Sequence, residues 1–569
     1  MLVFVLLISL AVFASVTAEF VRMEPSINVF SSKMWKQEKL LSEDEPISAI
    51  FALKSDPIKL AALEKDFWEI SDPKNSRYGK YYTFDQVKEK LSAPNASIEK
   101  VVSYLKSQGV ENVQVSRIGD KIRVAMPAKI ASQMFNTEFA QFRSIANERV
   151  TVNRVTKPYH LPSELVDVVS FVDDIVRFPS VRSQLVVPLE NNEKTTADSE
   201  FNSCGTVCPA YTTPAVLETA YSFTTLSSSA AGNSVSVAEF QGQYWDQTDL
   251  DDFNSACNVE GSVTTTIGGN NPSACSITGC TEAMLDIEYI AAITNPIPLT
   301  VLYSSTYSLL DWVDSLIAMT NPPWVNSVSY GNDEVQQTST QYMETCNTQF
   351  QAAGVLGLSL LFASGDQGVW GRTGYSKTAT FHPDFPAASP YITAVGGTNF
   401  VTKSTIGPEA AWSCGGGGFS NTFSIPSYQA SYVQSYLTNA AAQGVLPDSK
   451  YFNSSGRAYP DVAALGGQTN PYCVSYRSGK FGGVAGTSAS CPVVAGIFAQ
   501  LNNVRFNNGQ SAMGFLNPFI YQNGDCFNDV TTGENNCQSG TPGFYAIEGW
   551  DPATGFGSPN YACLETRIQ

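Results

Sequence analysis

The sequence predicts an α/β protein, a buried parallel sheet flanked by helices, preceded by a smaller α+β domain. Three observations predict it. Beyond residue 200, short apolar runs alternate with helical patterns, the order that a buried parallel sheet requires. The chain has 569 residues, 43% hydrophobic and 15% charged, enough for roughly two to four domains with real cores. Charge and cysteine also divide the chain near position 200. Residues 1–200 carry 25 Lys+Arg against 26 Asp+Glu, residues 201–569 carry 9 against 26, and all twelve cysteines lie at or after Cys204. Such a composition excludes a disordered, collagen-like or coiled-coil chain. The net charge of −18 argues against nucleic acid and anionic membrane as partners.

The first element is a leader. Residues 1–18, MLVFVLLISLAVFASVTA, form a short apolar run ending in the small residues that signal peptidase prefers. It is barely long enough to span a bilayer and Glu19 follows at once, so no membrane span is expected after its removal. Entry into the secretory pathway, with a lysosomal or extracellular destination, favours disulfides, up to six from twelve cysteines. Cys526 and Cys537 bracket a short loop and form a candidate bridge. Asn95-Ala96-Ser97 and Asn453-Ser454-Ser455 are glycosylation sequons.

Residues 19–200 read as a domain with helical spacing over 58–70, 83–91 and 98–108. Short strands are expected over 113–115 and 122–125, with a turn at Ile118-Gly119-Asp120. The polar stretch from Glu190 to Asn202 reads as an exposed linker open to proteolysis. The division is either two domains with different surfaces or a removable pro-segment and a mature protein over 201–569. In that second part strands are expected over 235–240, 300–303, 325–330 and 359–363, with helices over 281–293, 309–319 and 341–353. The run Gly415 to Gly418 is either a flexible turn or a place where another backbone approaches closely.

Three segments carry chemistry. Gly486-Thr487-Ser488-Ala489-Ser490-Cys491-Pro492 opens an apolar helix near Ser488, with Pro492 in the first turn. A serine there is either a simple N-cap or a nucleophile beside free backbone N–H groups. The spacing G-T-S-x-x-x-P is similar to the nucleophile segment of subtilisin-like peptidases, which use a histidine base. This chain has two histidines: His160, in the first part, and His382, outside any His-Gly turn. A nucleophilic Ser488 therefore needs a carboxylate base. Cys280-Thr281-Glu282-Ala283-Met284-Leu285-Asp286 supplies one, with Thr281 a candidate N-cap and the two acids on one helix face. The alternative is a solvated acidic face at a helix N-terminus. Third, Leu360-Leu361-Phe362-Ala363-Ser364-Gly365-Asp366-Gln367-Gly368 ends an apolar strand in an acid, as an Asx turn or as part of a site at the sheet's carboxyl edge.

TEAMLD, LFASGDQG and GTSAS, in this order, resemble the sedolisin (serine-carboxyl peptidase) family. SVSYGNDE from Ser327, FPAASPYITAVGGT from Phe385, GGGGFSNTF from Gly415, YFNSSGRAYPDVAAL from Tyr451, GWDPATGFGSPN from Gly549 and, in the first part, DPKNSRYGKYYT from Asp72 extend the resemblance. It implies a subtilisin-like fold behind a prodomain that acts as chaperone and inhibitor. It also implies Ser488 as nucleophile, Glu282 as its base, Asp286 orienting Glu282, and Asp366 in the oxyanion hole. A Glu near ~4.3 still accepts a proton at pH 4, where a histidine is already charged. Asp366 must be protonated to donate to an oxyanion. The implied activity is acid peptidase action on peptides or unfolded proteins, either releasing tripeptides from free amino termini or cutting internally. A catalytically silent, secreted peptide-binding protein is the alternative of a different class. The resemblance further implies one structural Ca²⁺, held by the carboxylates of Asp529 and Asp551 and the carbonyls of Val530, Ile547 and Gly549. The near-neutral prodomain against an acidic mature part leads to the expectation that acid loosens their pairing.

Overall fold

The computed structural model describes residues 19–24, 34–146, 148, 150–179, 186–187, 198–275, 280–337, 339–372, 380–477, 479–537 and 540–568. The leader and the linker from 190 to 197 lie outside the described residues.

In the first domain, strands β1 (Pro46–Leu53), β2 (Asn112–Val115), β3 (Lys121–Pro127) and β4 (Val169–Asp173) form an antiparallel sheet in the order β2-β3-β1-β4. Helices α1 (Pro57–Ser71), α2 (Phe84–Leu91) and α3 (Asn95–Ser107) appear where the periodicity places them. Asp56 caps α1 by accepting from the Ile58 N–H, and Thr83 makes a capping box with Gln86 at α2. The expected turn is present, with Gly119 at φ 87°.

The second domain is built on one large sheet. Strands β5 (Val235–Phe240), β6 (Thr265–Ile267), β7 (Leu299–Ser304), β8 (Val325–Val328), β9 (Ser359–Ala363), β10 (Thr393–Phe400) and β11 (Glu409–Ala411) lie in the order β6-β7-β5-β8-β9-β10-β11, and β12 (Val462–Leu465) also pairs with β10. All of these pairings are parallel except β10–β11. Helices α4 (Thr281–Thr294) and α7 (Thr487–Asn507) cover one face, while α5 (Leu309–Ile317) and α6 (Thr340–Val355) cover the other. The two-residue period of a strand decides which side chain goes where. Val235, Val237, Leu361 and Ala363 join the core under α4 and α7, and Ala238, Phe240, Leu360 and Phe362 join the core under α5 and α6.

The first domain docks on the α5/α6 face. Phe67 of α1 lies 4.9 Å from the Phe515 ring and 5.4 Å from Tyr391. Basic groups of β3 meet acids of α5: Lys121 Nζ is 3.1 Å from Asp314 and Arg123 donates to Asp311 and Asp314. Asp314 qualifies the expectation about acid release. Burial alone would raise its pKa, but the charges of Lys121 and Arg123 outweigh burial and hold it below the ordinary carboxylate range. This pairing therefore survives moderate acid and weakens only as pH falls through that lowered value. Asp314→Asn takes one carboxylate from Lys121 and Arg123, which keep Asp120 and Asp311, and so weakens the docking. Processing of the full chain at pH 5 is expected to quicken severalfold, timed by gel; an unchanged rate would show the contact to be idle.

Two other expectations are corrected. The linker does not stay exposed up to Asn202: Phe201 is fully buried with its ring 5.9 Å from Phe400, and the Asp198 carboxylate accepts the Ile406 N–H. Cys526 does not pair with Cys537. The bridges are Cys204–Cys257, Cys208–Cys473, Cys275–Cys280, Cys414–Cys537 and Cys526–Cys563, five of the six that twelve cysteines allow, with Cys346 and Cys491 free and buried. Tertiary pairing overrides proximity in sequence here. The Asn560 N–H donates to the Cys526 carbonyl and brings the last helix alongside, while the Cys537 N–H donates to Ser413 beside Cys414. Both sequon asparagines, Asn95 and Asn453, are exposed.

Candidate active site

Helix α4 is buried along all fourteen residues, although it contains Glu282, Asp286 and Glu288. A helix buried all round is ordinarily apolar throughout, and acids buried there cost free energy unless partners or protonation offset it. Glu282 is 4% exposed, Asp286 0% and Ser488 2%, so the solvated-face alternative for the two acids is excluded.

The helices bring these residues to one level. The α4 end at Cys280 lies at the carboxyl edge, its sulfur 3.5 Å from Gly242 O just beyond β5. The α7 end lies there too, Thr487 Oγ accepting the Gly365 N–H just beyond β9. Farther along, Asn233, ahead of β5, donates to Ala499 O. Both helices thus run from the carboxyl edge to the amino edge, parallel to each other. They touch where Gly496 admits Ile293: a Cβ on Gly496 would stand 2.7 Å from Ile293 Cγ2. At ~1.5 Å per residue, Ser488 sits ~12 Å before that contact, between Asp286 at ~10 Å and Glu282 at ~16 Å.

Asp366 arrives from the third side. Its Oδ1 accepts the Thr487 N–H at 2.7 Å and the Thr487 hydroxyl at 2.8 Å. Its carboxyl therefore lies over the first turn of α7, against N–H groups that have no partner within the helix. The glycine run backs this turn. Gly416 N donates to Gly365 O at 2.6 Å, Ser364 Oγ donates to Gly416 O at 2.7 Å, and a Cβ on Gly416 would overlap the Ser364 carbonyl. The close approach is by the protein's own backbone.

Local details differ from the sequence reading. Cys280, not Thr281, holds the N-cap position of α4, with no side-chain cap bond. Gly486 precedes α7 as its N-cap, so Ser488 is not the cap and Pro492 lies inside the helix, which forgoes one internal bond there. His382 is 3.8 Å from Asp333, in the segment beyond β8. Glu239 was missed. It is fully buried on β5, in register with the residues facing α4, and accepts the Tyr330 hydroxyl at 3.1 Å. An acid in the apolar run Val235-Ser236-Val237-Ala238-Glu239-Phe240 was its available signal.

Two further acids, Asp529 and Asp551, lie in the carboxy-terminal loops. Asp529 accepts the Gly549 N–H at 2.8 Å, and Asp551 accepts the Ile547 N–H at 3.3 Å, which knits 529–530 to 547–551. Asp551 is fully buried; burial, with the charge of Asp529 adding to it, pushes its pKa far up. Burial raises Asp529 as well. Among the described residues neither pairs with a Lys or Arg. Their hydrogen-bond partners are N–H groups and the Thr554 hydroxyl; two carboxylates without a neutralising Lys or Arg are the side-chain chemistry that a hard divalent cation such as Ca²⁺ takes. The one grouping of three or more His, Cys, Asp or Glu ligands among the described residues is Cys204, Cys257 and Cys473, and it is consumed by disulfides.

Comparison with known proteins bears on the family of the chain. Residues 33–178 match the Pro-kumamolisin activation domain and residues 215–519 the Subtilase family. The chain is 35% identical over 549 residues to tripeptidyl-peptidase 1 of Canis lupus familiaris, covering 93% of each chain. It is 34% identical over 542 residues to that of Homo sapiens, covering 92% and 91%. Among solved structures it is similar to Pseudomonas sedolisin, a serine-carboxyl proteinase, with 25% identity, a TM-score of 0.51, and coverage of 63% of this chain and 97% of that one. No helix among the described residues is long and apolar enough to cross a membrane. The chain belongs to the sedolisin (serine-carboxyl peptidase) family, and it is a serine-type peptidase made as a zymogen behind an activation domain.

Proposed function

We propose that Ser488, Glu282, Asp286 and Asp366 carry the reaction and that the enzyme releases tripeptides from free amino termini in acid. The carrying observation is the meeting of three elements at one sheet edge: the parallel starts of α4 and α7, with the Asp366 carboxyl bonded across Thr487. Ser488 Oγ attacks the scissile carbonyl while Glu282 takes its proton, with Asp286 orienting Glu282. Protonated Asp366 donates to the resulting oxyanion. Glu282 returns the proton to the leaving amine, and the acyl-enzyme forms. Water then attacks the ester with Glu282 again as base, freeing Ser488.

Tripeptide release is supported by the named relatives. Its test is digestion, after acid activation, of one peptide in free and amino-blocked forms. Tripeptides from the free form alone are expected; cleavage of both forms indicates an endopeptidase, and of neither a binding protein.

Ca²⁺ would be held by the carboxylates of Asp529 and Asp551 with the carbonyls of Val530, Ile547 and Gly549. When bound, it neutralises that buried charge and braces the loops. Chelation with EGTA at pH 6 is expected to lower Tm by several degrees; an unmoved Tm removes the cation from this account. The remaining assignments are a signal peptide over 1–18, a prodomain over 19–200 acting as intramolecular inhibitor, and a mature enzyme over 201–569. That enzyme would be glycosylated and delivered to the lysosome or the exterior.

A further inference from the structure

Asn535 joins two regions that the chemistry above treats separately, the 529–551 cluster and the Asp366 turn. It is fully buried and uses both halves of its amide. Oδ1 accepts the Phe544 N–H at 2.8 Å, while the Asn535 N–H donates to Phe544 O at 3.2 Å, which fixes the segment leading to Ile547. Nδ2 donates to Pro552 O at 3.3 Å, next to Asp551. The Asn535 carbonyl accepts the Val369 N–H at 3.1 Å, three residues beyond Asp366. Gly417 closes the other side: a Cβ there would overlap the Pro552 carbonyl and stand 2.9 Å from Asn535 Nδ2. Its neighbour Gly416 bonds Gly365. Asp366 is thus gripped by Thr487 on one side and, through residues 368–369 and 416–417, by Asn535 on the other.

We infer that Asn535 is a positioning residue for the Asp366 carboxyl and passes the order of the 529–551 cluster to the oxyanion site. The inference rests on the reading of Asp366 as oxyanion donor and of 529–551 as a cation site. The side chain must be an amide. An aspartate at 535 keeps the acceptor for Phe544 but turns a carboxylate oxygen onto the Pro552 carbonyl, and an alanine loses both bonds. A shift of the Asp366 turn by a fraction of an ångström acts on the transition state and not on substrate binding.

The test is a double-mutant cycle in the full chain after acid activation. Asn535→Asp, with Asn535→Ala in parallel in case the charge impairs folding, is expected to lower kcat ~10-fold or more with KM within about twofold. In an Asp366→Asn background the same change is expected to cost less than about twofold, because the group being positioned has gone. EGTA is expected to lower both Tm and kcat of the unsubstituted enzyme, and in Asn535→Asp to lower Tm alone. Losses that multiply fully in the double variant, or an unchanged kcat in both single variants at 535, overturn the inference. Full activity of Asp366→Asn alone overturns the oxyanion reading instead, and a Tm unmoved by EGTA overturns the cation reading.

Discussion

Replacing Ser488 with alanine is expected to lower kcat at pH 4 by at least ~10⁴-fold while KM stays within a few-fold. The size follows from the mechanism. Without the hydroxyl no acyl-enzyme forms, and what remains is the binding groove and whatever donors face the carbonyl. Prodomain removal by an added protease separates lost catalysis from lost maturation, since an enzyme that matures itself would stall for either reason. Glu282→Gln removes the proposed proton acceptor and should fall in the same range. His382→Gln should leave kcat within about twofold, because His382 faces Asp333. A large loss in His382→Gln would return the chain to histidine-based chemistry.

The second large effect concerns stability against pH. Glu334, 5% exposed, has its pKa pushed up by burial to about 7, even though Ser420, Asn421 and Thr422 donate to it. Burial likewise raises Glu409 to about 7, and raises Glu288 well above its ordinary range. The sign follows from linkage. A carboxyl whose folded value lies above its unfolded one contributes stability that is fully present below the unfolded value of 4.5, and that stability is lost as pH rises through about 7. For Glu334 alone the difference amounts to about 3 kcal/mol between pH 4 and pH 8. The mature enzyme should melt several degrees higher at pH 4.5 than at pH 7.5, and Glu334→Gln, neutral at both, should narrow the gap. Equal Tm values at the two pH values would refute this distribution of protons. The excess of acids after residue 200 therefore includes groups buried where acid favours the fold, not only a charged surface.

Much of this was legible in the sequence because it is local. The strand at 359–363 and the helix after Ser488 are apolar runs with clear ends, and the four-residue spacing of Glu282 and Asp286 places them on one face whatever surrounds the helix. The scarcity of histidine pointed to a carboxylate base before any geometry. What was illegible is long-range. Cys526 takes Cys563 rather than the nearer Cys537 because a strand pair and a terminal helix bring Cys563 in. Phe201 looked like part of a polar linker, but its ring finds Phe400 across the fold. Thr281 misses the cap position by one residue and Pro492 lies beyond the first turn, since cap positions depend on where the preceding turn exits. Asn535 carries no motif, and its role appears only once Phe544, Pro552 and Val369 surround it.

The central claim is that Ser488 forms a covalent acyl-enzyme in acid without a histidine. The direct measurement is mass spectrometry of activated enzyme mixed at pH 4 with a free-amine tripeptide ester and quenched within seconds. A tripeptidyl mass increment is expected on the peptide containing Ser488, absent from the Ser488→Ala enzyme. No increment during active turnover, or an increment on another residue, would contradict it.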